Sequence, residues 1–127
     1  MNVFLVEDSP LVCQRLVEMI EATGAHRVVG QAATYDDAVR GITATMPDVG
    51  IFDIKLTRGS GIDALAEAKR RLPHLVGIVM SNYTTPQHAK ASADAGADFF
   101  LDKSSDFERI AGILSTLSEG KHAKETS

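Results

Sequence analysis

Five polar residues that could act together in phosphate chemistry stand at the ends of short apolar runs in this chain. Glu7 and Asp8 follow the first run, Asp53 follows the third, Ser81 follows the fourth, and Lys103 is the second residue after the fifth. Three converging carboxylates would raise one another's pKa unless a cation shared the site. Oxygen ligands without a nearby histidine or thiolate favour Mg²⁺, which also binds phosphate oxygens. Lys103 and the Ser81 hydroxyl could hold a phosphoryl group while Asp53 attacks phosphorus, so the set predicts an aspartyl-phosphate site.

Each of these residues, taken alone, has a plainer interpretation. An Asp or Glu after a strand often caps a helix or forms a turn. A lone serine at that place is a turn residue, and a lone lysine is a solvated charge. Their joint occurrence at successive strand ends favours a functional site over five separate structural roles.

The elements that would position these residues can be predicted from the apolar pattern. Short apolar runs alternate with stretches of helical period, which is typical of βα units on a parallel sheet. In such a sheet, ligands bind beyond the C-terminal strand ends, near the point where the strand order reverses. The first, third and fourth runs should be central strands. The five predicted strands are Asn2 to Val6, Arg27 to Ala32, Val49 to Phe52, Leu75 to Met80 and Asp98 to Leu101.

Capping residues predict where the helices begin and end. Ser9 before Pro10, and Thr85 before Pro86, are typical helix starts. The first of these helices should bury a stripe of Leu11, Leu16, Val17 and Ile20 and end at Gly24, and the second should end at Gly96. The other helices are predicted from Asp36 to Pro47, from Gly61 to Pro73, and from Ser105, which could form a capping box with Glu108.

Length and charge exclude several classes of protein. A chain of 127 residues suits one compact domain. We predict that domain over residues 1–120, followed by a short polar tail over residues 121–127. The net charge of −4 argues against nucleic-acid binding by this chain alone. No apolar run approaches the roughly 20 residues that span a bilayer, so we expect no membrane contact and a cytoplasmic location.

Three other phosphate or nucleotide binding classes fit the sequence less well. A dinucleotide-binding module needs a glycine-rich turn after the first strand, but that turn reads "EDSPL". A flavodoxin-like electron carrier would need a hydroxyl-rich loop there and aromatic rings for flavin stacking. The segment "FDIKLT" is similar to the DxDxT motif of haloacid dehalogenase-type phosphatases, but Lys55 replaces the second aspartate.

Four segments together resemble the receiver domain of bacterial two-component response regulators. These are "VEDS", "IFDIKL", "VMSN" and "GADFFLDKSS", and the likeness covers about residues 2 to 118. The resemblance implies a CheY-like, flavodoxin-like (βα)5 fold, a doubly wound five-stranded parallel sheet with strand order 2-1-3-4-5. It also implies a phosphoacceptor that is not an enzyme beyond its own phosphorylation and autodephosphorylation.

The resemblance further implies a metal site and a phosphorylation site. Asp53 would take a phosphoryl group from a histidine kinase or a histidine phosphotransfer protein. Asp8 would bind Mg²⁺ directly, Glu7 largely through water, Asp53 by its carboxylate and Lys55 by its backbone carbonyl.

It also implies how phosphorylation would be transmitted. Lys103 would pair with the phosphoryl group and Ser81 would hydrogen-bond to it. Movement of Ser81 would let the Phe100 ring turn and alter the face formed by the fourth helix, fifth strand and fifth helix, which controls an output protein. Phe99 should point to the opposite face of the sheet.

Three neighbours of the site vary or depart from the family pattern. Ser104 stands where the family usually has a proline after the lysine, in a typically cis bond. A cis bond before serine would cost about 3 to 4 kcal/mol, so either the loop is strained or the bond is trans. Lys55 and Tyr83 should flank the mouth of the site, where they could tune the lifetime of the phosphate.

Two alternatives to a stand-alone signalling module remain open. The chain could be the receiver fragment of a DNA-binding response regulator, or a small Mg²⁺-dependent aspartyl-phosphate phosphatase. We favour a stand-alone receiver because the polar segment after Gly120 reads like a natural end.

Overall fold

A computed structural model describes the backbone of residues 1–126 and the side chains of residues 1–120. Strands and helices alternate along the described chain, as the apolar pattern predicts. In chain order they are β1 (Asn2–Val6), α1 (Pro10–Glu21), β2 (Arg27–Ala32), α2 (Tyr35–Thr45), β3 (Val49–Asp53), α3 (Gly61–Arg71), β4 (Val76–Ser81), α4 (Pro86–Asp94), β5 (Phe99–Asp102) and α5 (Arg109–Thr126).

The strands form one parallel sheet in the order β2-β1-β3-β4-β5. This confirms the doubly wound α/β fold class and the central positions of β1, β3 and β4. The register aligns Val6 with Phe52 and Ser81 with Asp102. The residues that follow β1, β3 and β4 therefore meet at one edge of the sheet.

Apolar side chains pack on both faces of the sheet. On β1, Phe4 and Val6 belong to one buried cluster, whereas Val3 and Leu5 belong to the other. This alternation follows from the two-residue period of a strand. The same period places Phe100 against the first cluster and Phe99 against the second, as predicted.

The first and fourth helices begin at the predicted caps. The Ser9 hydroxyl accepts a hydrogen bond from the Val12 amide, and the Thr85 hydroxyl accepts one from the His88 amide. The prediction that Leu11 belongs to the inner stripe of α1 is wrong, because its side chain is 64% exposed. Leu11 lies two residues before the buried Cys13, and a rotation of about 200° around the helix turns it toward solvent.

The last helix begins later than the capping signal predicts. Ser105 does not cap it, because its amide donates to Asp102 Oδ1 and α5 begins only at Arg109. The helix continues past Gly120 to Thr126. The side chains of residues 121–127 lie outside the described part of the chain, so the polar tail stays a prediction. No helix in the described residues is both long and apolar enough to cross a bilayer.

Candidate functional site

The carboxylates of Glu7, Asp8 and Asp53 converge at the C-terminal edge of β1 and β3. One carboxylate oxygen from each residue lies within 4.8 Å of the other two. Glu7 is buried, Asp53 is mostly buried and Asp8 is exposed, so the group is open to solvent on one side. Three oxygen donors at this spacing could hold a divalent cation such as Mg²⁺.

Lys103 reaches this carboxylate group from the loop after β5. Its Nζ lies 2.9 Å and 3.0 Å from the two carboxylate oxygens of Glu7, and 3.3 Å from Asp53 Oδ2. Its backbone amide donates to the Ser81 carbonyl oxygen at 2.9 Å, which ties the loop to the end of β4. Lys103 is therefore held at this edge of the sheet by both its side-chain ammonium and its backbone amide.

Burial and neighbouring charges shift the pKa values of Glu7 and Lys103. Burial raises the pKa of Glu7 to about 7, the nearby Asp53 carboxylate acts in the same direction, and the ammonium of Lys103 opposes both. Burial by itself would lower the pKa of Lys103, but the hydrogen bond to Glu7 and the charge of Asp53 outweigh it, so this pKa is raised. Burial therefore dominates the shift of Glu7, whereas the carboxylates that face the Lys103 ammonium stabilise its charged form.

The end of β3 is fixed by a close approach of α3. The Gly61 amide donates to the Ile54 carbonyl oxygen at 2.9 Å. A Cβ added at Gly61 would lie 1.7 Å from the carbonyl oxygen of Asp53, so only glycine fits there. Sequence reasoning noted Gly61 as a helix start but missed this contact with the backbone of Asp53.

Lys55 lies just outside the carboxylate group. Its side chain is exposed, and its backbone forms an isolated antiparallel bridge with Ser60, the N-cap of α3. The loop between β3 and α3 is thereby closed on itself, two residues beyond Asp53.

Ser81 is brought to the same edge, but its hydroxyl is engaged by its own loop. Its side chain is buried, and the Oγ accepts a hydrogen bond from the Tyr83 amide at 2.8 Å. The same hydroxyl donates to the Tyr83 carbonyl oxygen at 3.2 Å. The Tyr83 ring itself is 51% exposed beside the site.

Asp102 ends β5 as Asp53 ends β3, but its carboxylate bonds to the following loop instead of joining the acidic group. Its Oδ1 accepts hydrogen bonds from the Ser104 hydroxyl at 2.6 Å and the Ser104 amide at 2.8 Å. These bonds lower the pKa of Asp102. The Lys103–Ser104 peptide bond is trans, which answers the question raised by the missing proline.

Comparison with known proteins identifies the family. The chain matches the response regulator receiver domain over residues 3–115. It is 28% identical over 120 residues to the DNA-binding transcriptional activator DevR/DosR of Mycobacterium tuberculosis, covering 94% of this chain and 55% of that protein. It is 34% identical over 113 residues to a protein-glutamate methylesterase/protein-glutamine glutaminase of Pseudoalteromonas atlantica, covering 87% of this chain and 29% of that protein.

A solved structure shows the same architecture. A response regulator from Burkholderia pseudomallei, solved with a phosphorylated aspartic acid, a calcium ion and citrate, is 26% identical with a TM-score of 0.79, and the alignment covers 98% of this chain and 72% of that one. The chain spans about half the length, or less, of the curated relatives that it matches. The sheet order, the shared carboxylate edge and the match over residues 3–115 lead to one conclusion: this chain belongs to the response regulator receiver domain family.

Proposed function

We propose that this chain is a phosphoacceptor signalling module in which Asp53 receives the phosphoryl group. The proposal rests on the position of Asp53. Its carboxylate lies beside those of Glu7 and Asp8 and within reach of the Lys103 ammonium. An Asp53 oxygen forms a bond to phosphorus while the bond from phosphorus to the donor's histidine nitrogen breaks. The donor is a histidine kinase or a histidine phosphotransfer protein.

The acidic group supports a Mg²⁺ site. Asp8 and Asp53 would bind the ion by their carboxylates, Glu7 largely through water, and Lys55 through its backbone carbonyl. Bound there, the ion would neutralise negative charge on the phosphoryl oxygens as Asp53 attacks phosphorus. The Burkholderia pseudomallei relative was solved with a phosphorylated aspartic acid and a calcium ion, which supports a phosphoacceptor aspartate in a protein that also binds a divalent cation.

Lys103 and Ser81 would hold the remaining phosphoryl oxygens. Lys103 already lies 3.3 Å from Asp53 Oδ2, so little movement of its side chain is needed. Ser81 has to exchange its bond to the Tyr83 carbonyl oxygen for one to the phosphoryl group. That exchange would let the half-buried Phe100 ring turn and change the face formed by α4, β5 and α5 for an output protein.

Phosphorylation by a small donor tests the proposal. The chain is incubated with acetyl phosphate and Mg²⁺, and the intact mass is followed with time. We expect one labile phosphoryl group, absent without Mg²⁺ and absent in Asp53→Asn. Asp36→Asn is the matched control, because Asp36 is an exposed carboxylate in the first turn of α2. Labelling that survives in Asp53→Asn would overturn the proposal.

Repeated hydrolysis of an added phosphomonoester would distinguish a phosphatase from a phosphoacceptor. A small Mg²⁺-dependent phosphatase would hydrolyse an added phosphomonoester many times per molecule, whereas a phosphoacceptor is modified once. We expect no sustained release of phosphate from p-nitrophenyl phosphate. Sustained release that requires Asp53 would replace the signalling function with the enzymatic one.

Lys55 and Tyr83 are proposed to tune the lifetime of the phosphate. Both side chains are exposed next to the carboxylate edge, where bulk and charge can impede or admit the attacking water. The rate of phosphate loss is compared in Lys55→Ala, Tyr83→Ala and the parent chain. A changed rate in either variant supports this role, and unchanged rates in both would end it.

A further inference from the structure

A continuous chain of contacts links the Ser81 hydroxyl to the N-terminus of α4. Ser81 exchanges two hydrogen bonds with the backbone of Tyr83. The Tyr83 ring stacks on the His88 ring, with centroids 5.8 Å apart and planes at 26°. His88 Nδ1 lies 2.6 Å from the hydroxyl oxygen of Thr85, the residue that caps α4.

Each contact in this chain restrains the next. Thr85 Oγ1 also accepts a hydrogen bond from the His88 amide at 3.3 Å, so the imidazole is fixed to the first turn of α4 by both its ring and its backbone. The Tyr83 ring is 51% exposed and is therefore not held by burial in the core. Its stack on the fixed imidazole can therefore determine the position of the ring and of the loop between β4 and α4.

The position of this loop determines what Ser81 can do. The Ser81 hydroxyl has one proton, and in this structure it donates that proton to the Tyr83 carbonyl oxygen. The hydroxyl can donate to another oxygen only if this bond is broken. Breaking it is easier when the Tyr83 backbone is free to withdraw, and the stack on His88 resists that withdrawal.

We propose that the Tyr83–His88 stack is a latch that keeps the loop between β4 and α4 in the arrangement that occupies the Ser81 hydroxyl. His88 is then a positioning residue that sets how readily the site engages a phosphoryl group. The inference deepens the proposed function and rests on it. It also assigns Thr85 a second role, because its hydroxyl holds the imidazole of the latch in addition to capping the helix.

A phosphate-free measurement tests the latch by itself. The Tyr83 amide donates to Ser81 Oγ, so its hydrogen exchange reports opening of the loop. We expect exchange to be roughly 2- to 10-fold faster in His88→Ala, as the loss of an aromatic stack implies. His88→Phe keeps the ring but loses its bond to Thr85, so its exchange rate should lie between those of the parent and His88→Ala. Equal rates in His88→Ala and the parent would overturn the latch, whatever Asp53 does.

Binding of a phosphoryl mimic tests the effect of the latch on the site. Fluoroberyllate is titrated in the presence of Mg²⁺ and followed by tyrosine fluorescence in a Tyr35→Phe background, because the chain has no Trp and only two Tyr. We expect His88→Ala to bind the mimic roughly 2- to 10-fold more tightly. His88→Phe should bind with an affinity between those of His88→Ala and the parent, whereas the control Gln87→Ala, an exposed neighbour on α4, should bind like the parent.

The two experiments distinguish the possible failures. If the parent binds no fluoroberyllate and gains no phosphate on Asp53, the proposed function fails and the latch has no role to play. If the parent binds the mimic but His88→Ala binds it equally or more weakly, the latch alone is wrong.

Discussion

A single ammonium lies between two carboxylates at the edge of this sheet, and the stability of the metal-free chain should depend on it. Lys103 is 13% exposed, Glu7 4% and Asp53 12%. In Lys103→Met both carboxylates lose their cation, so we expect the free energy of unfolding near pH 8 to fall by about 3 kcal/mol. Urea denaturation with a chelator present measures it.

The control for this variant is Lys90→Met. Lys90 pairs with Asp94 on the exposed surface of α4, and such pairs contribute about 0–1 kcal/mol. The loss in Lys103→Met should shrink near pH 6, where Glu7 can take up a proton instead of keeping an unpaired charge. Equal losses of unfolding free energy in the two lysine variants would show that the Lys103 ammonium does not stabilise the buried carboxylates.

The raised pKa of Glu7 predicts a pH dependence of metal binding. Its pKa rises from 4.5 to about 7 in the folded chain, so the folded state binds a proton that the unfolded state lacks across this window. The contribution of this carboxyl to stability is present below about pH 4.5 and is lost as the pH rises through 7. Above that pH the carboxylate is ionised, and its charge attracts a cation.

We therefore expect the apparent Mg²⁺ dissociation constant to rise about tenfold between about pH 8 and pH 6, because Mg²⁺ competes with the proton on Glu7. Isothermal titration calorimetry at several pH values measures it. In Glu7→Gln, which cannot ionise, this part of the dependence should disappear. A Glu7→Gln profile identical to that of the parent would contradict the assignment of the titration to Glu7.

At the scale of elements, the contact between α3 and β3 sets the position of the site. Gly61→Ala places a Cβ against the Asp53 carbonyl oxygen, so the backbone has to shift. We expect a loss of stability of about 1–3 kcal/mol together with weaker Mg²⁺ binding. Gly112→Ala is the matched control on α5, where a Cβ meets no atom within 4 Å and should stabilise by about 0.5–1 kcal/mol. Thermal melts measure both variants, and similar shifts of the melting temperature in the two would contradict the close approach of α3 to the Asp53 carbonyl oxygen.

The helix α4 has a single buried residue, and that residue is polar. Ser92 is fully buried, and its hydroxyl is the one buried side-chain polar atom without a hydrogen-bond partner among the described residues. Removing an unsatisfied hydroxyl should stabilise the chain, so we expect Ser92→Ala to raise the unfolding free energy by about 1 kcal/mol. Ser115→Ala, on the exposed surface of α5, gives the part that is due to helix propensity alone. A gain no larger than that of Ser115→Ala would mean that the Ser92 hydroxyl costs nothing.

At the scale of the whole molecule, the two faces of the sheet should respond differently to the site. Phe100 packs with the cluster that contains Val79 and Ala97, whereas Phe99 packs with the cluster that contains Leu114. If Phe100 transmits phosphorylation, the amide shifts of α4 on adding fluoroberyllate and Mg²⁺ should become much smaller in Phe100→Ala. Phe99→Ala is the neighbouring control and should keep them. Shifts of equal size in both variants would exclude ring packing of Phe100 as the transmitter.

The sequence by itself determined the repeating βα pattern, the fold class and the convergence of Glu7, Asp8 and Asp53 at one edge. These features follow from local periodicity and from the rule that parallel strands end on the same side, so they need no knowledge of distant contacts. The starts of α1 and α4 were predictable for the same reason, because Ser9 and Thr85 bond within three residues of themselves.

The tertiary structure alone decided the features that depend on distances between remote residues. It placed Lys103 against both oxygens of Glu7, 96 positions away in the chain, and brought Gly61 against the backbone of Asp53. It also turned Leu11 to solvent, moved the start of α5 to Arg109 and stacked Tyr83 on His88. Periodicity and capping rules describe one segment at a time. The contact of Lys103 with Glu7 arises only when the loops of separate βα units are packed at the same edge of the sheet, and the other features depend on how each loop or side chain packs in three dimensions.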